Sequence, residues 1–274
     1  MTGADDPGLV ALAERIAGRS GLDMGAYKDR CLRRRIAARM RACGAHSYTE
    51  YLEVLDQRPE ELDRLLDALT INVTKFFRNP ETWAWVGEHL LPGLLNAREG
   101  ALRAWSAGCA SGEEAYTLAM LAAIVLERMD RSAWLPRVRI DATDIDRESL
   151  ERAAAGRYDP RAFSESDPAM PARYCRLAGD GQLEVLPEYR SLVTVRRLDL
   201  TGEAPPATGY DLICCRNVLI YFDRPTQERL MHLFADALGP GGILVLGKVE
   251  TILGHARSRF EMVEPRERIY RKAA

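Results

Sequence analysis

The sequence predicts an α/β protein in which an open, mostly parallel sheet with crossover helices is preceded by a separate all-α domain. Three observations carry this. From residue 101 onward, apolar strand-like runs alternate with segments of helix formers, the signature of a parallel sheet joined by crossover helices. Residues 8 to 70 show helical periodicity and nothing else. Residues 156 to 190 break the alternation with Gly156, Pro160, Pro168, Pro171, Gly179, Gly181 and Pro187 around short alternating runs such as Leu183-Glu-Val185, which reads as a small β insertion.

The elements follow in order. Leu9, Leu12 and Ile16 give a first apolar helix face, Tyr27 through Met40 a second, Tyr51, Leu52, Val54 and Leu55 a third, and Leu62, Leu65, Leu66 and Leu69 a fourth. Domain boundaries are therefore expected at 1–70 for a helical domain, 71–100 for a linker and lead-in helix, and 101–274 for the sheet domain, with 156–190 inserted in it. Strands are expected at Leu102 to Cys109, Val138 to Ile145, Ser191 to Leu198 and Tyr210 to Cys215; helices at Glu113 to Arg128, Arg147 to Ala155 and Pro225 to Leu238. Leu238-Gly-Pro240-Gly-Gly242 reads as a tight turn into the strand Ile243 to Leu246, and Ile269-Tyr270 offers one last strand.

Bulk properties limit the function. With 274 residues, 47% of them hydrophobic, the chain can bury a large core and a small one. A net charge of -2 and a pI near 6.2 withhold the general positive field that nucleic-acid binding needs. The opening MTGADDPGLV is neither a basic leader nor an apolar run, and no segment approaches the ~20 apolar residues of a membrane span, so a cytoplasmic protein without membrane insertion is expected. Six scattered cysteines without a CxxC pair indicate neither disulfides nor a metal.

Chemistry is expected where strands end, because ligands of open α/β sheets bind outside the strands' carboxyl ends. Gly108-Cys-Ala-Ser-Gly112 lets backbone amides approach a ligand closely. Glu113 and Glu114 follow at once and would repel a pyrophosphate, so a cationic group such as an amino acid's ammonium fits better. Asp144, within Asp141-Ala-Thr-Asp144-Ile-Asp146, can accept both hydroxyls of a ribose, while Asp144 or Asp146 must cap the next helix. Asp199 and Leu200 suit the flank of an adenine, and Arg216-Asn217 would lie at a ligand's central portion, walled by Tyr221-Phe222. The linker Asn72-Val-Thr74-Lys-Phe76-Phe77-Arg78 combines polar side chains with aromatics, a composition that suits a lid. The helix Lys28 to Arg41 sets seven basic side chains against the single Asp29 and marks a docking face for an acidic partner.

Together these segments resemble the CheR-type chemotaxis receptor methyltransferases, over roughly residues 20 to 272. The resemblance rests on Leu69-Thr-Ile-Asn72-Val-Thr74-Lys-Phe76-Phe77-Arg78, Trp105-Ser-Ala-Gly-Cys-Ala-Ser-Gly-Glu-Glu114-Ala-Tyr116, Ala142-Thr-Asp144-Ile-Asp146 and Cys215-Arg-Asn217-Val-Leu-Ile-Tyr221-Phe222. It implies a class I, Rossmann-like S-adenosylmethionine-dependent sheet with helices on both faces, and transfer of a methyl group from that cofactor to receptor glutamates, leaving S-adenosylhomocysteine.

Residue by residue, the resemblance implies that Asn72, Thr74 and Arg78 contact the cofactor from the linker, Glu114 its ammonium, Asp144 its ribose, Asp199 and Leu200 its adenine, and Arg216 and Asn217 its middle. Glu113 is the alternative to Glu114. Arg78 and Tyr221 would lie nearest the methyl as the catalytic pair. A receptor would dock on Arg30, Arg33, Arg34, Arg35, Arg39 and Arg41. The short turn Leu177-Ala-Gly179-Asp-Gly181-Gln points to recognition without the receptor's C-terminal tail, by a monomer. Gly247-Lys248-Val249-Glu250 stands where the family has Gly-His-Ser-Glu, and Ala115 where it commonly has proline. The competing readings are a nucleic-acid or small-molecule methyltransferase and a non-catalytic cofactor-binding adaptor. Against the first stand the low pI and Arg216-Asn-Val-Leu-Ile-Tyr221 in place of a proline-rich aromatic motif; against the second, intact Arg78 and Tyr221.

Overall fold

The structure is a computed structural model that describes residues 6–20, 22–69 and 74–274. Four helices fill the first part: α1 (Pro7–Ser20), α2 (Asp29–Cys43), α3 (Tyr48–Gln57) and α4 (Pro59–Leu69). Each buries the stripe its periodicity sets out, with Leu12, Ile16, Ile36, Tyr51 and Leu65 fully enclosed. Gly44, at φ 74, closes α2 in the left-handed conformation, and the Ser47 hydroxyl accepts the Glu50 amide to open α3. These helices and Tyr221–Thr226 form one compact unit. Within it the Lys28 amide donates to the Tyr221 carbonyl at 2.8 Å, and the Tyr27 and Phe222 rings meet at 4.8 Å.

The second unit contains α5 (Pro80–Trp85), which runs through a π-turn at Val86–Leu90 into α6 (Leu91–Ala97). Next come β1 (Arg103–Ala107), α7 (Glu113–Arg128), β2 (Arg139–Asp144) and α8 (Arg147–Ala155). The segment after α8 carries β3 (Arg157–Tyr158), α9 (Met170–Tyr174), β4 (Cys175–Leu177), β5 (Leu183–Val185) and α10 (Pro187–Arg190). Its three strands pair antiparallel in the order β3-β5-β4. The chain continues with β6 (Val193–Arg197), β7 (Tyr210–Cys215), α11 (Arg224–Ala237), β8 (Leu238–Leu246), β9 (Phe260–Glu264) and β10 (Ile269–Lys272).

The main sheet has the order β6-β2-β1-β7-β8-β10-β9. β6, β2, β1, β7 and β8 are parallel, whereas β10 and β9 return antiparallel. Its core includes Trp105, Ile140, Leu212, Ile213 and Val245, all nearly inaccessible. After β1 the chain moves outward to β2 and β6, then crosses back to β7 on the other side of β1. The order therefore reverses between β1 and β7, which makes their carboxyl ends the crevice where such sheets take ligands.

Two elements depart from the sequence expectation. The glycine-rich Leu238-Gly-Pro240-Gly-Gly242 is part of β8 rather than a turn ahead of it: pairing steps from Tyr210 opposite Leu238 to Leu212 opposite Ile243, so the extra residues bulge within the strand. A Cβ at Gly242 would lie 2.8 Å from the Tyr210 carbonyl oxygen, which explains the glycine. β9 was not expected, because Phe260-Glu-Met-Val-Glu264 lies at the sheet edge and buries only Phe260, which leaves little alternation to read. Among the described residues no helix is long and apolar enough to cross a membrane.

Candidate active site

Four strand ends, those of β1, β2, β6 and β7, supply the site. After β1 the chain turns through Gly108, at φ 78, and Gly112, at φ 93, which opens α7. A Cβ on Gly108 would come within 2.5 Å of a Val218 methyl, and one on Gly112 within 2.8 Å of the Ala153 Cβ, so both positions require glycine for space as well as for backbone. Glu113 and Glu114 then point to different surroundings. Glu113 accepts the Ser111 hydroxyl at 2.8 and 3.0 Å. Glu114 accepts the Ser106 hydroxyl at 2.8 Å from inside β1, and its other oxygen lies 3.6 Å from Arg216 at the end of β7. Burial pushes the Glu114 carboxyl above its ordinary range, and the Arg216 charge and the Ser106 bond pull it part of the way back.

At the end of β2 the two aspartates divide their tasks. Asp146 caps α8, accepting the Glu148 and Ser149 amides, each at 3.3 Å. Asp144 is thereby left at the strand end, where it accepts the Ala110 amide at 2.8 Å and the Asp146 amide at 3.0 Å. Burial raises the Asp144 carboxyl, and the backbone amides offset only part of that rise. After β6, Asp199 folds a turn on itself by accepting the Thr201 amide and hydroxyl at 2.8 and 2.7 Å, and Leu200 is buried beside it.

Arg216 is engaged on several sides. Its guanidinium pairs with Glu114, donates to the Arg78 carbonyl at 2.8 Å and to the Asn79 amide oxygen at 2.9 Å, and lies 5.0 Å over the Trp83 ring. It therefore fastens the segment carrying Thr74 and Arg78 to the end of β7. Asn217 follows in the left-handed region at φ 62. Among the described residues, its amide oxygen and the Arg216 Nε are buried without a hydrogen-bond partner. Asn72 lies outside the described residues. Tyr221 packs within the helical unit, where the Arg35 guanidinium lies 5.2 Å from its ring centre.

The linker's two phenylalanines are built into the core. Phe76 is fully buried, stacked on Phe163 at 3.9 Å and edge-on to Tyr158 at 4.9 Å, and Phe77 joins the same core. Phe222 is buried against Tyr27. Sequence reading also missed Ser106, Thr117 and Glu165. The Phe77 amide donates to the Thr117 hydroxyl at 3.0 Å, and the Asn79 amide to Glu165 at 3.0 Å. Thr117 and Glu165 serve backbone amides far away in the chain, and Ser106 serves a side chain across the strand-to-helix turn, so none of them leaves a local pattern to find.

Comparison with known proteins decides the family. Residues 7–70 match the CheR methyltransferase all-alpha domain, and residues 72–269 match the CheR methyltransferase SAM binding domain. The chain belongs to the CheR methyltransferase family. Chemotaxis protein methyltransferases of Listeria innocua and Listeria monocytogenes are 36% and 37% identical over 86% of this chain and 87% of theirs. That of Borreliella burgdorferi is 30% identical over 93% of this chain and 91% of its own.

As a CheR methyltransferase, the protein is an S-adenosylmethionine-dependent enzyme. The residues present fit that cofactor. Partly buried carboxylates at Glu114 and Asp144, both raised by desolvation, and an unpartnered buried amide oxygen at Asn217 are groups that a cationic ligand with ribose hydroxyls relieves. Among the described residues no cluster of His, Cys, Asp or Glu side chains could hold a metal ion.

Proposed function

We propose that this chain esterifies glutamate side chains of methyl-accepting chemotaxis receptors, as a cytoplasmic monomer whose helical domain is residues 1–70, whose linker and lead-in helix are 71–100, and whose catalytic domain is 101–274 with the β-subdomain 156–190. Glu114 receives the cofactor's ammonium, Asp144 its ribose hydroxyls, Asp199 and Leu200 its adenine, and Arg216 and Asn217 its middle. Asn72, Thr74 and Arg78 reach it from the linker. The observation that carries this reading is the meeting of Glu114, buried Arg216 and Asn217 at the β1/β7 crevice. Glu114 is preferred to Glu113 because its carboxylate lies beside Arg216 at the end of β7, whereas that of Glu113 turns to Ser111.

When bound, the cofactor supplies a sulfonium-activated methyl. A receptor glutamate, with a free pKa of about 4.3, is ionised at neutral pH, so the protein need not supply a general base. Arg78 and Tyr221 orient that carboxylate for in-line approach, and orientation is their catalytic contribution.

The receptor docks on α2. Arg30, Arg34 and Arg41 are exposed and make no ion pair among the described residues; their spacing sets them on one stripe of the helix. Arg33, Arg35 and Arg39 are partly committed inside the unit: Arg33 to Asp29 at 2.6 Å, Arg35 to the Leu69 carbonyl at 2.5 Å, and Arg39 to Glu61 at 2.6 and 2.9 Å. The first three therefore grip the acidic receptor. Recognition does not use the receptor tail.

Two measurements test the reading. Titration calorimetry with S-adenosylmethionine and S-adenosylhomocysteine should show binding of both, and absence of binding by either overturns it. Radiolabelled methyl should appear in receptor protein as base-labile ester. Base-stable label in nucleic acid, or cofactor binding without any methylation, would favour the nucleic-acid or adaptor readings instead.

A further inference from the structure

Glu250, in the loop after β8, is only 4% exposed and makes no ion pair among the described residues. A buried carboxylate without a cation is costly unless dense hydrogen bonding replaces the lost water. Here backbone amides do so. One oxygen accepts the Asn217 amide at 2.9 Å and the Gly247 amide at 2.6 Å, and the other accepts the Ile220 amide at 3.3 Å. The Glu250 amide in turn donates to the Gly247 carbonyl at 2.8 Å and closes the loop on itself.

We propose that Glu250 is a positioning residue for the cofactor: it ties the turns that end β7 and β8 to one carboxylate and so fixes the conformation in which Asn217 is presented. Asn217 sits at φ 62, in the left-handed region that asparagine enters more readily than most residues but at a cost that surrounding contacts must offset. Glu250 enforces it from one side through the Asn217 amide. From the other side Val218 abuts Gly108, where a Cβ would lie 2.5 Å from a Val218 methyl. The turn after β7 is therefore wedged between the β1 loop and Glu250. Gly247 completes the clamp, since a Cβ there would lie 2.7 Å from the Glu250 oxygen and 2.8 Å from the Asn217 nitrogen. Glutamate is required because both oxygens must accept; glutamine turns one of them into a donor facing amide hydrogens.

This inference rests on the assignment of Asn217 to the cofactor, and the test separates the two. Calorimetry measures S-adenosylhomocysteine binding to wild type, Glu250→Gln, Gly247→Ala and Asn217→Ala, with unfolding midpoints taken on the same samples. Glu250→Gln should bind about tenfold more weakly, the ~1.4 kcal/mol expected for one lost buried acceptor. Steady-state assays should show the loss in KM for S-adenosylmethionine and not in KM for receptor, a split that general destabilisation does not produce. Gly247→Ala keeps the carboxylate but crowds it, and should weaken binding in the same direction; it decides the matter if Glu250→Gln fails to fold. Wild-type affinity in a folded Glu250→Gln, or in Gly247→Ala when Glu250→Gln does not fold, overturns the positioning role. Wild-type affinity in Asn217→Ala overturns the assignment beneath it.

Discussion

Replacing Arg216 with methionine keeps the apolar stem of the side chain and removes the guanidinium. The Arg216 side chain is 3% exposed and that of Glu114 is 12%, so their 3.6 Å pair is shielded from water. The substitution also removes the bonds to the Arg78 carbonyl and the Asn79 amide oxygen and the cation over Trp83. Taking one partner from a buried pair costs about 3–5 kcal/mol, because the remaining charge is left without compensation. At about 2–4 °C per kcal/mol for a chain of this size, the unfolding midpoint should fall by roughly 6–20 °C. Burial would then act on Glu114 without its main opposing charge and raise that carboxyl further. Glu114→Gln in the same background removes the stranded charge, so the double mutant should be at least ~1 kcal/mol more stable than additivity allows. Urea denaturation of the four proteins gives the cycle. Strict additivity, or an Arg216→Met protein within about 1 kcal/mol of wild type, refutes the pairing as the element that fixes this crevice.

Three further outcomes are expected. Asp144→Asn should weaken S-adenosylhomocysteine binding in calorimetry, whereas Asp146→Ala, two residues away, should cost about 1 kcal/mol of stability through the lost α8 cap and leave binding unchanged. In the helical unit, burial alone would raise Glu61, but bonds from Arg39, Tyr51 and Cys43 outweigh it and hold the carboxyl below its ordinary value. Its stabilisation is thus fully present above the ordinary carboxylate pKa of about 4.3 and is lost as pH falls through the lowered folded value; the stability gap between wild type and Glu61→Gln should close in acid, as followed by denaturation against pH. Charge reversal of Arg30, Arg34 and Arg41 together should raise KM for receptor with the affinity for S-adenosylhomocysteine unchanged, whereas Arg39→Glu should lower the unfolding midpoint because it places two acids together.

Much of the site was legible because its chemistry sits at the ends of apolar strands, where a polar residue is conspicuous. Glu114, Asp144 and Arg216-Asn217 stand out in this way. What could not be read is the division of labour among neighbours. Nothing in Asp141-Ala-Thr-Asp144-Ile-Asp146 says which aspartate caps the helix; that depends on which carboxylate reaches the Glu148 and Ser149 amides. Phe76 and Phe77 give the linker a composition that suits a lid, yet Phe76 is core whose ring partners lie some eighty residues on in the β-subdomain. The run of arginines on α2 is uniform as a sequence. Only the helix's inward faces, set by Glu61 and the end of α4, separate the committed from the exposed.

The stack of Phe76 on Phe163, together with the Phe76 amide bond to the Ala162 carbonyl at 3.0 Å and the Lys75 ion pair with Glu165 at 3.3 Å, means that the β-subdomain is not an interchangeable module. A chimera carrying a relative's insertion would inherit a new platform under Thr74 and Arg78. Unless that graft restored a flat ring at position 163 and an acid at 165, it would remove the contacts that hold Lys75 and Phe76 in place.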